Sequence, residues 1–249
     1  MSTKKGLRSK TYDIKMTSKT NIHNAYVQDM FSRVSARYDL LNRLMTFGRD
    51  QAWRRFLVTM VNIPKGAHVL DVGIGTGDIA FEALRHDSTN HVVGVDFTME
   101  MMEMGRHRPG GQGIDWCRAD ALQLPFPDST FDAVTSGFLV RNVTDVRAVL
   151  KEQWRVVKPG GRVVCLETSP DPYILLRPFV LFHMKIIIPF LGYLIACQRE
   201  AYQYLPASTL GFMKPDALAD LMSEVGLAEV SYRRFMFGTI AVHWGERHI

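Results

Sequence analysis

Cysteine is scarce in this chain. Its three cysteines among 249 residues, Cys117, Cys165 and Cys197, are odd in number and widely separated, so neither a C-x-x-C metal clip nor a disulfide framework is read from them. Reduced, intracellular thiols are the expectation. His, Cys and acidic residues show no ligand spacing, and no metal is expected. A long apolar run is missing too: a spanning helix needs about 20 uninterrupted apolar residues. The most apolar stretch, residues 172–197, is broken by Arg177, Pro178, His183, Lys185 and Pro189, and reads as a helical insertion. The opening MSTKKGLRSK lacks the apolar core of a secretory signal, which points to a cytoplasmic protein. No internal repeat stands out.

What is present fits a soluble enzyme. Apolar residues make up 47% and charged residues 22%, close to the globular average and far from disordered or fibrous chains. A chain of this length buries roughly 70–75% of its unfolded surface, enough for a core without staples. The net charge is +5, and Lys4, Lys5, Arg8, Lys10, Lys15 and Lys19 against Asp13 alone account for all of it. The excess therefore belongs to an expected mobile basic arm, residues 1–20, and the rest is balanced. Without a basic folded face, nucleic acid is not an expected partner; an arm of this charge suits attachment to anionic lipid.

The remainder, 21–249, reads as one domain. Val27, Met30, Phe31, Val34, Tyr38 and Leu41 recur at helical spacing, as do Trp53, Phe56, Leu57, Met60 and Val61. Helices over residues 21–65 thus precede the first strand. Strand-like runs 68–72 and 91–96 alternate with helical runs 78–85 and 99–106, the signature of parallel βαβ units. A strand over 131–136, a helix over 146–157, a turn at Lys158-Pro159-Gly160-Gly161 and a strand over 162–167 continue the pattern. Runs 230–237 and 239–244 meet at Gly238, too close for a crossover helix, and should pair antiparallel.

Asp71-Val72-Gly73-Ile74-Gly75-Thr76-Gly77-Asp78 ends the first of these strands. Glycines there allow a sharp turn and close approach of a ligand, and the following helix offers unpaired N–H groups. Asp96, ending the second strand, stands where ribose hydroxyls need an acceptor. The third glycine follows after one residue, not the two of the dinucleotide fingerprint. This spacing resembles motif I of class I S-adenosylmethionine (SAM) methyltransferases. That resemblance implies SAM as cofactor and a seven-stranded, doubly wound α/β sheet, Rossmann-like and mostly parallel with a C-terminal antiparallel hairpin. It also implies that Asp120 accepts from the adenine amino group, that Ala121 donates its backbone N–H, and that Phe97, Gly137 and Tyr38 stand near the cofactor. The alternative for Asp120 is a simple turn cap.

Four further segments narrow the resemblance. Residues 31–42 (FSRVSARYDLLN), Arg141-Asn142-Val143-Thr144-Asp145, residues 202–208 (YQYLPAS) and residues 238–245 (GTIAVHWG) look like the ubiquinone/menaquinone biosynthesis C-methyltransferase family. The family's common Ser-Phe-Gly-Leu-Arg-Asn-Val differs here: Ser136 is displaced and Gly137 takes its place, so a serine contact to SAM is not carried over. The resemblance implies methylation of a ring carbon of a demethylated polyprenyl quinol. Such a carbon is a poor nucleophile until a neighbouring hydroxyl loses its proton, so the site needs a base, a cation or both.

Arg141 is the expected cation, stabilising the developing phenolate, with Asn142 on a hydroxyl or on the methionine part of SAM. Tyr202 and Tyr204 orient the ring or relay a proton; two apart, they face different ways on a helix. The bland alternative for Arg141 is a capping or salt-bridging surface residue. Phe31, Tyr38, Asp39 and Asn42 either form a lid in contact with SAM or substrate or only pack the N-terminal helix. The insertion 172–197 has three readings: a receptor for the tail that rests on the inner face of a bilayer, a buried helix pair, or an interface in a homodimer. Other functions remain open: a SAM enzyme acting on a phospholipid amine or a different aromatic ring, or a SAM-binding scaffold without chemistry.

Overall fold

The computed structural model describes residues 28–30, 32–33, 40–191 and 199–248, leaving aside the side chains of residues 191 and 199–203. Seven strands form one sheet: β1 (His68–Val72), β2 (His91–Asp96), β3 (Ile114–Arg118), β4 (Phe131–Gly137), β5 (Val157–Thr168), β6 (Leu227–Phe235) and β7 (Ile240–Arg247). Their order is β3-β2-β1-β4-β5-β7-β6. The first five run parallel, and β7 is antiparallel to both β5 and β6, as the short spacing at Gly238 requires.

Successive strand residues point to opposite faces, and both faces are covered, so the central strands carry apolar side chains on both faces. Val69, Val164, Leu166 and Val242 join a core with Trp53, Leu57, Ile79 and Phe81. Leu70, Val134, Val163 and Cys165 join another with Val149, Leu150, Leu218 and Met222. The helices Asp50–Val61, Asp78–His86, Met99–Arg106 and Val146–Val156 lie close to the runs expected from periodicity. Asp145 starts the last of these, its Oδ1 accepting from the Ala148 N–H at 2.9 Å.

Two sequence expectations change. The strand pattern does not single out β3, which is an edge strand with Ile114 buried, Trp116 and Cys117 half-buried, and Asp115 and Arg118 exposed. The Lys158-Pro159-Gly160-Gly161 turn lies inside β5: Val157 pairs with Phe131 and Arg162 with Ala133, and the chain bulges between them with Gly160 at φ +77°. The turn residues do turn the chain, but pairing resumes on either side.

The described part of the insertion holds a 3₁₀ turn at Ile174–Leu176, α-helix at Arg177–Phe182, a π-helical turn at His183–Ile187, and α-helix again at Ile188–Leu191. The π turn runs up to the segment containing Pro189, which has no N–H to continue an α ladder. Among the described residues no helix is long and apolar enough to cross a membrane. The basic stretch 1–20 lies outside the described residues.

Candidate functional site

In an open α/β sheet, the crevice forms beyond the carboxyl ends of the strands where the strand order reverses. Here that point lies between β1 and β4, whose outer neighbours are β2 and β5. A recess of about 140 Å³ opens there, and the glycine loop forms its floor. Gly73 takes φ +72°, and a Cβ on it would stand 2.9 Å from Leu139 Cδ1; Gly77 takes φ +91°, with Trp116 only 2.8 Å from a Cβ. Side chains are excluded at both positions by backbone strain and by space.

Asp71, at the end of β1, lines this recess and is wholly buried. Burial pushes its carboxyl up to about 7, although the Thr135 hydroxyl donates to its Oδ1 at 2.9 Å and Arg54 pulls the other way. Asp96 is also raised by burial. Its Oδ2 accepts from the Gly75 N–H at 2.9 Å and its Oδ1 from the Thr98 N–H at 2.8 Å, so the carboxylate expected to meet ribose also braces the glycine loop. Gly75, Thr76, Phe97, Ala121 and Gly137 line the same recess. So does Asp120, whose Oδ1 accepts from the Leu122 N–H at 2.9 Å. It caps a turn and faces the recess; the two expectations for it are compatible. Ser136 points away, buried and donating to Cys165 Sγ at 3.3 Å, which leaves Gly137 at the recess.

Beside this recess lies a second, largely apolar cavity of about 420 Å³. Phe138 belongs to the walls of both. Arg141 lines the apolar cavity and Asn142, the next residue, the glycine-loop recess, both on a 3₁₀ turn after β4. The parallel register Gly137↔Leu166 brings this turn against the end of β5. There Glu167, fully buried, accepts from Arg141 twice: Oε1 from Nη1 at 2.5 Å and Oε2 from the backbone N–H at 3.2 Å. Arg141 is thus salt-bridged, as one expectation had it, but in the interior and not on the surface, its side chain only 5% exposed. The guanidinium lies 5.4 Å from the centre of the Phe138 ring, and its Nε is buried with no hydrogen-bond partner among the described residues.

Tyr204 lines the cavity from the helix Arg199–Leu210. Its hydroxyl donates to Asn142 Oδ1 at 3.2 Å, while Asn142 Nδ2 donates to the Phe138 carbonyl at 2.9 Å. The structure therefore brings together Arg141, Asn142 and Tyr204. Tyr38 lies outside the described residues, as do Phe31, Asp39 and the Tyr202 side chain.

Two groups at the site escape a reading by periodicity. One is Glu167; a carboxylate closing the apolar run Val163-Val164-Cys165-Leu166 was the available signal, since a charge in a buried strand needs a partner. The other is an ion-pair chain. Asp50, on the cavity wall, accepts from Arg54 Nη1 at 2.5 Å; Arg54 Nη2 meets Asp78 at 3.2 Å, and Asp78 meets Arg108 at 2.8 Å. Arg54 also lines the glycine-loop recess, so this chain links the two hollows. Among the described residues no group of His, Cys, Asp and Glu could hold a metal ion.

The family model described as ubiE/COQ5 methyltransferase family matches residues 19–247. The ubiquinone/menaquinone biosynthesis C-methyltransferase UbiE of Desulfotalea psychrophila is 49% identical over 88% of this chain and 89% of its own length. The demethylmenaquinone methyltransferase of Thermus thermophilus is 41% identical over 88% of this chain and all of its own. Among solved structures, a SAM-dependent methyltransferase from Thermotoga maritima superposes with a TM-score of 0.62 at 20% identity, over 88% of this chain and 98% of its own. The phosphoethanolamine N-methyltransferase 2 of Haemonchus contortus gives 0.60 at 13% identity, over 80% and 53%. At these identities the structural matches speak for the fold.

Proposed function

Because the chain belongs to the ubiE/COQ5 methyltransferase family, we propose that it transfers the methyl group of SAM to a ring carbon of a demethylated polyprenyl quinol in quinone biosynthesis. The observation that carries this reading is the buried Arg141–Glu167 pair on the wall of an apolar cavity that shares Phe138 with the glycine-loop recess.

The recess suits SAM chemically. Asp71, Asp96 and Asp120 offer acceptors for an ammonium, a ribose diol and an adenine amino group, and Phe97, Met101 and Leu122 offer an apolar surface. SAM, when bound, supplies an electrophilic methyl group. The chain's own residues then have two tasks. They hold the ring carbon in line with that methyl, and they favour the phenolate that makes the carbon nucleophilic. Arg141 serves the second: its guanidinium is held in place by Glu167, and its Nε has no hydrogen-bond acceptor among the described residues. Asn142 and Tyr204, tied to each other, serve the first.

The apolar cavity receives the ring and the start of the tail. Phe179 forms part of its wall and is also 73% exposed, so the cavity continues into an outer apolar surface with Ile174 at 88%, Leu175 at 84% and Phe182 at 59% exposure. A patch of this kind fits rest on a bilayer, with the tail passing between lipid and cavity.

The reading is tested by product analysis with SAM and a panel of demethylated naphthoquinols, benzoquinols, other phenols and phospholipid amines. Ring methylation of a quinol is the expected result; methylation of an amine or of another ring only would overturn it. For the membrane contact, Ile174→Ser/Leu175→Ser/Phe182→Ser removes exposed apolar side chains that do not line the cavity. Flotation with anionic vesicles should fall severalfold while turnover of a short-tailed quinol stays. Unchanged flotation with a change in oligomeric state would assign the patch to a second copy of the chain.

A further inference from the structure

Resting on the quinol reading, the geometry points to Asn42 as a substrate-binding residue that donates to the ring oxygen remote from the reacting carbon, so that the site selects rings with two para oxygens over simple phenols. Two residues that line the apolar cavity each carry a buried donor with no hydrogen-bond partner among the described residues: Arg141 Nε and Asn42 Nδ2. Buried N–H groups without partners are rare, because each forfeits its hydration and receives nothing in return. Two on the wall of one apolar cavity call for acceptors on the ligand.

The two donors come from different elements. Arg141 follows β4 and adjoins Asn142 and Phe138, which also line the cofactor recess. It serves the oxygen next to the carbon that receives the methyl. Asn42 belongs to the helical stretch 40–45, a separate segment that reaches the cavity together with Met45, Thr46 and Asp50. Its backbone is held: its carbonyl accepts from the Thr46 N–H at 3.0 Å and from the Thr46 hydroxyl at 2.7 Å. Thr46 Oγ1 lies 3.1 Å from Asp50 Oδ1, and Asp50 is itself clamped by Arg54. The amide therefore stands on a braced turn. A quinol carries its two oxygens at opposite ring positions, which matches one donor on each segment; a monophenol would leave Asn42 unsatisfied.

The test compares a short-tailed demethylated 1,4-naphthalenediol with the matching 1-naphthol that lacks the remote hydroxyl, at saturating SAM. The quantity read is the ratio of kcat/KM for diol over naphthol, because the second hydroxyl also changes intrinsic ring reactivity equally for every variant. In Asn42→Ala this ratio should fall about 10–100-fold, the loss of one buried hydrogen bond. Asn42→Leu, close in volume and without polar atoms, should give the same fall and keeps the packing if the alanine variant folds poorly. SAM affinity should stay near that of the parent chain in both. An unchanged ratio, with both acceptors slowed alike or neither slowed, overturns the assignment. If the parent chain methylates neither acceptor, the quinol reading itself falls and takes this one with it.

Discussion

Replacing Arg141 by alanine is expected to lower kcat by about 10²–10³-fold, the usual cost of removing one preorganised stabiliser of developing oxyanion charge. SAM affinity should be nearly unchanged, because Arg141 lines the apolar cavity and not the glycine-loop recess. The variant carries a second cost. Glu167 is fully buried, and without the guanidinium its charge stands uncompensated, a loss of about 3–5 kcal/mol. For a chain of this size each kcal/mol is worth about 2–4 °C in Tm. A thermal melt alone would then confuse instability with lost chemistry. The double variant Arg141→Met/Glu167→Gln separates them: it removes both charges, should recover most of the Tm, and should recover no turnover. A single-turnover measurement with saturating SAM reads the chemical step directly, and full activity in either variant would sink the role given to Arg141.

The Arg54→Met variant should be comparably damaging, by a different route. Arg54 and Asp50 are both buried, and removing the cation leaves the Asp50 carboxylate without its ion-pair partner in the interior, while Asp78 keeps Arg108. A loss of about 3–5 kcal/mol is expected, visible as a lower denaturation midpoint with the slope unchanged. Cofactor binding gives a second readout. The ionised form of Asp71 is the one that attracts an ammonium. With its carboxyl at about 7, SAM affinity in the parent chain should weaken as pH falls through 7, by up to about tenfold per unit. Arg54 pulls Asp71 down through its charge, so losing it moves that midpoint to higher pH. Titration calorimetry from about 1.5 pH units below to about 1.5 above the Asp71 value of about 7 would follow it. A midpoint that moves down, or a flat profile in the parent chain, would remove Asp71 from the cofactor's ammonium.

Local pattern was enough for much of this molecule. The alternation 68–72 and 91–96 with intervening helical runs, the closing pair of strands around Gly238, and the glycine loop ahead of Asp78 are all encoded within a few residues of where they act. Side-chain period, turn chemistry and positive φ depend on neighbours along the chain, so a sequence displays them. The same holds for the placing of Asp71, Gly73, Gly75, Asp96 and Gly137 at one recess, since a βαβ unit has one hand and one open end.

What the sequence could not decide was which distant groups meet. Arg141 and Glu167 are 26 residues apart, and only the parallel register of β4 with β5 sets one against the other. That pairing places Arg141 in a buried ion pair and not in a surface one. Asp50 and Arg54 share a helix, yet their link to Asp78 depends on how that helix lies over the glycine loop. Asn42 read from sequence alone was lid or packing. Its unpartnered amide on the cavity wall becomes visible only once the apolar insertion, the N-terminal helical stretch and the end of β4 close around one space. Burial and pairing are properties of the closed packing, and the charge that a residue can use follows from them.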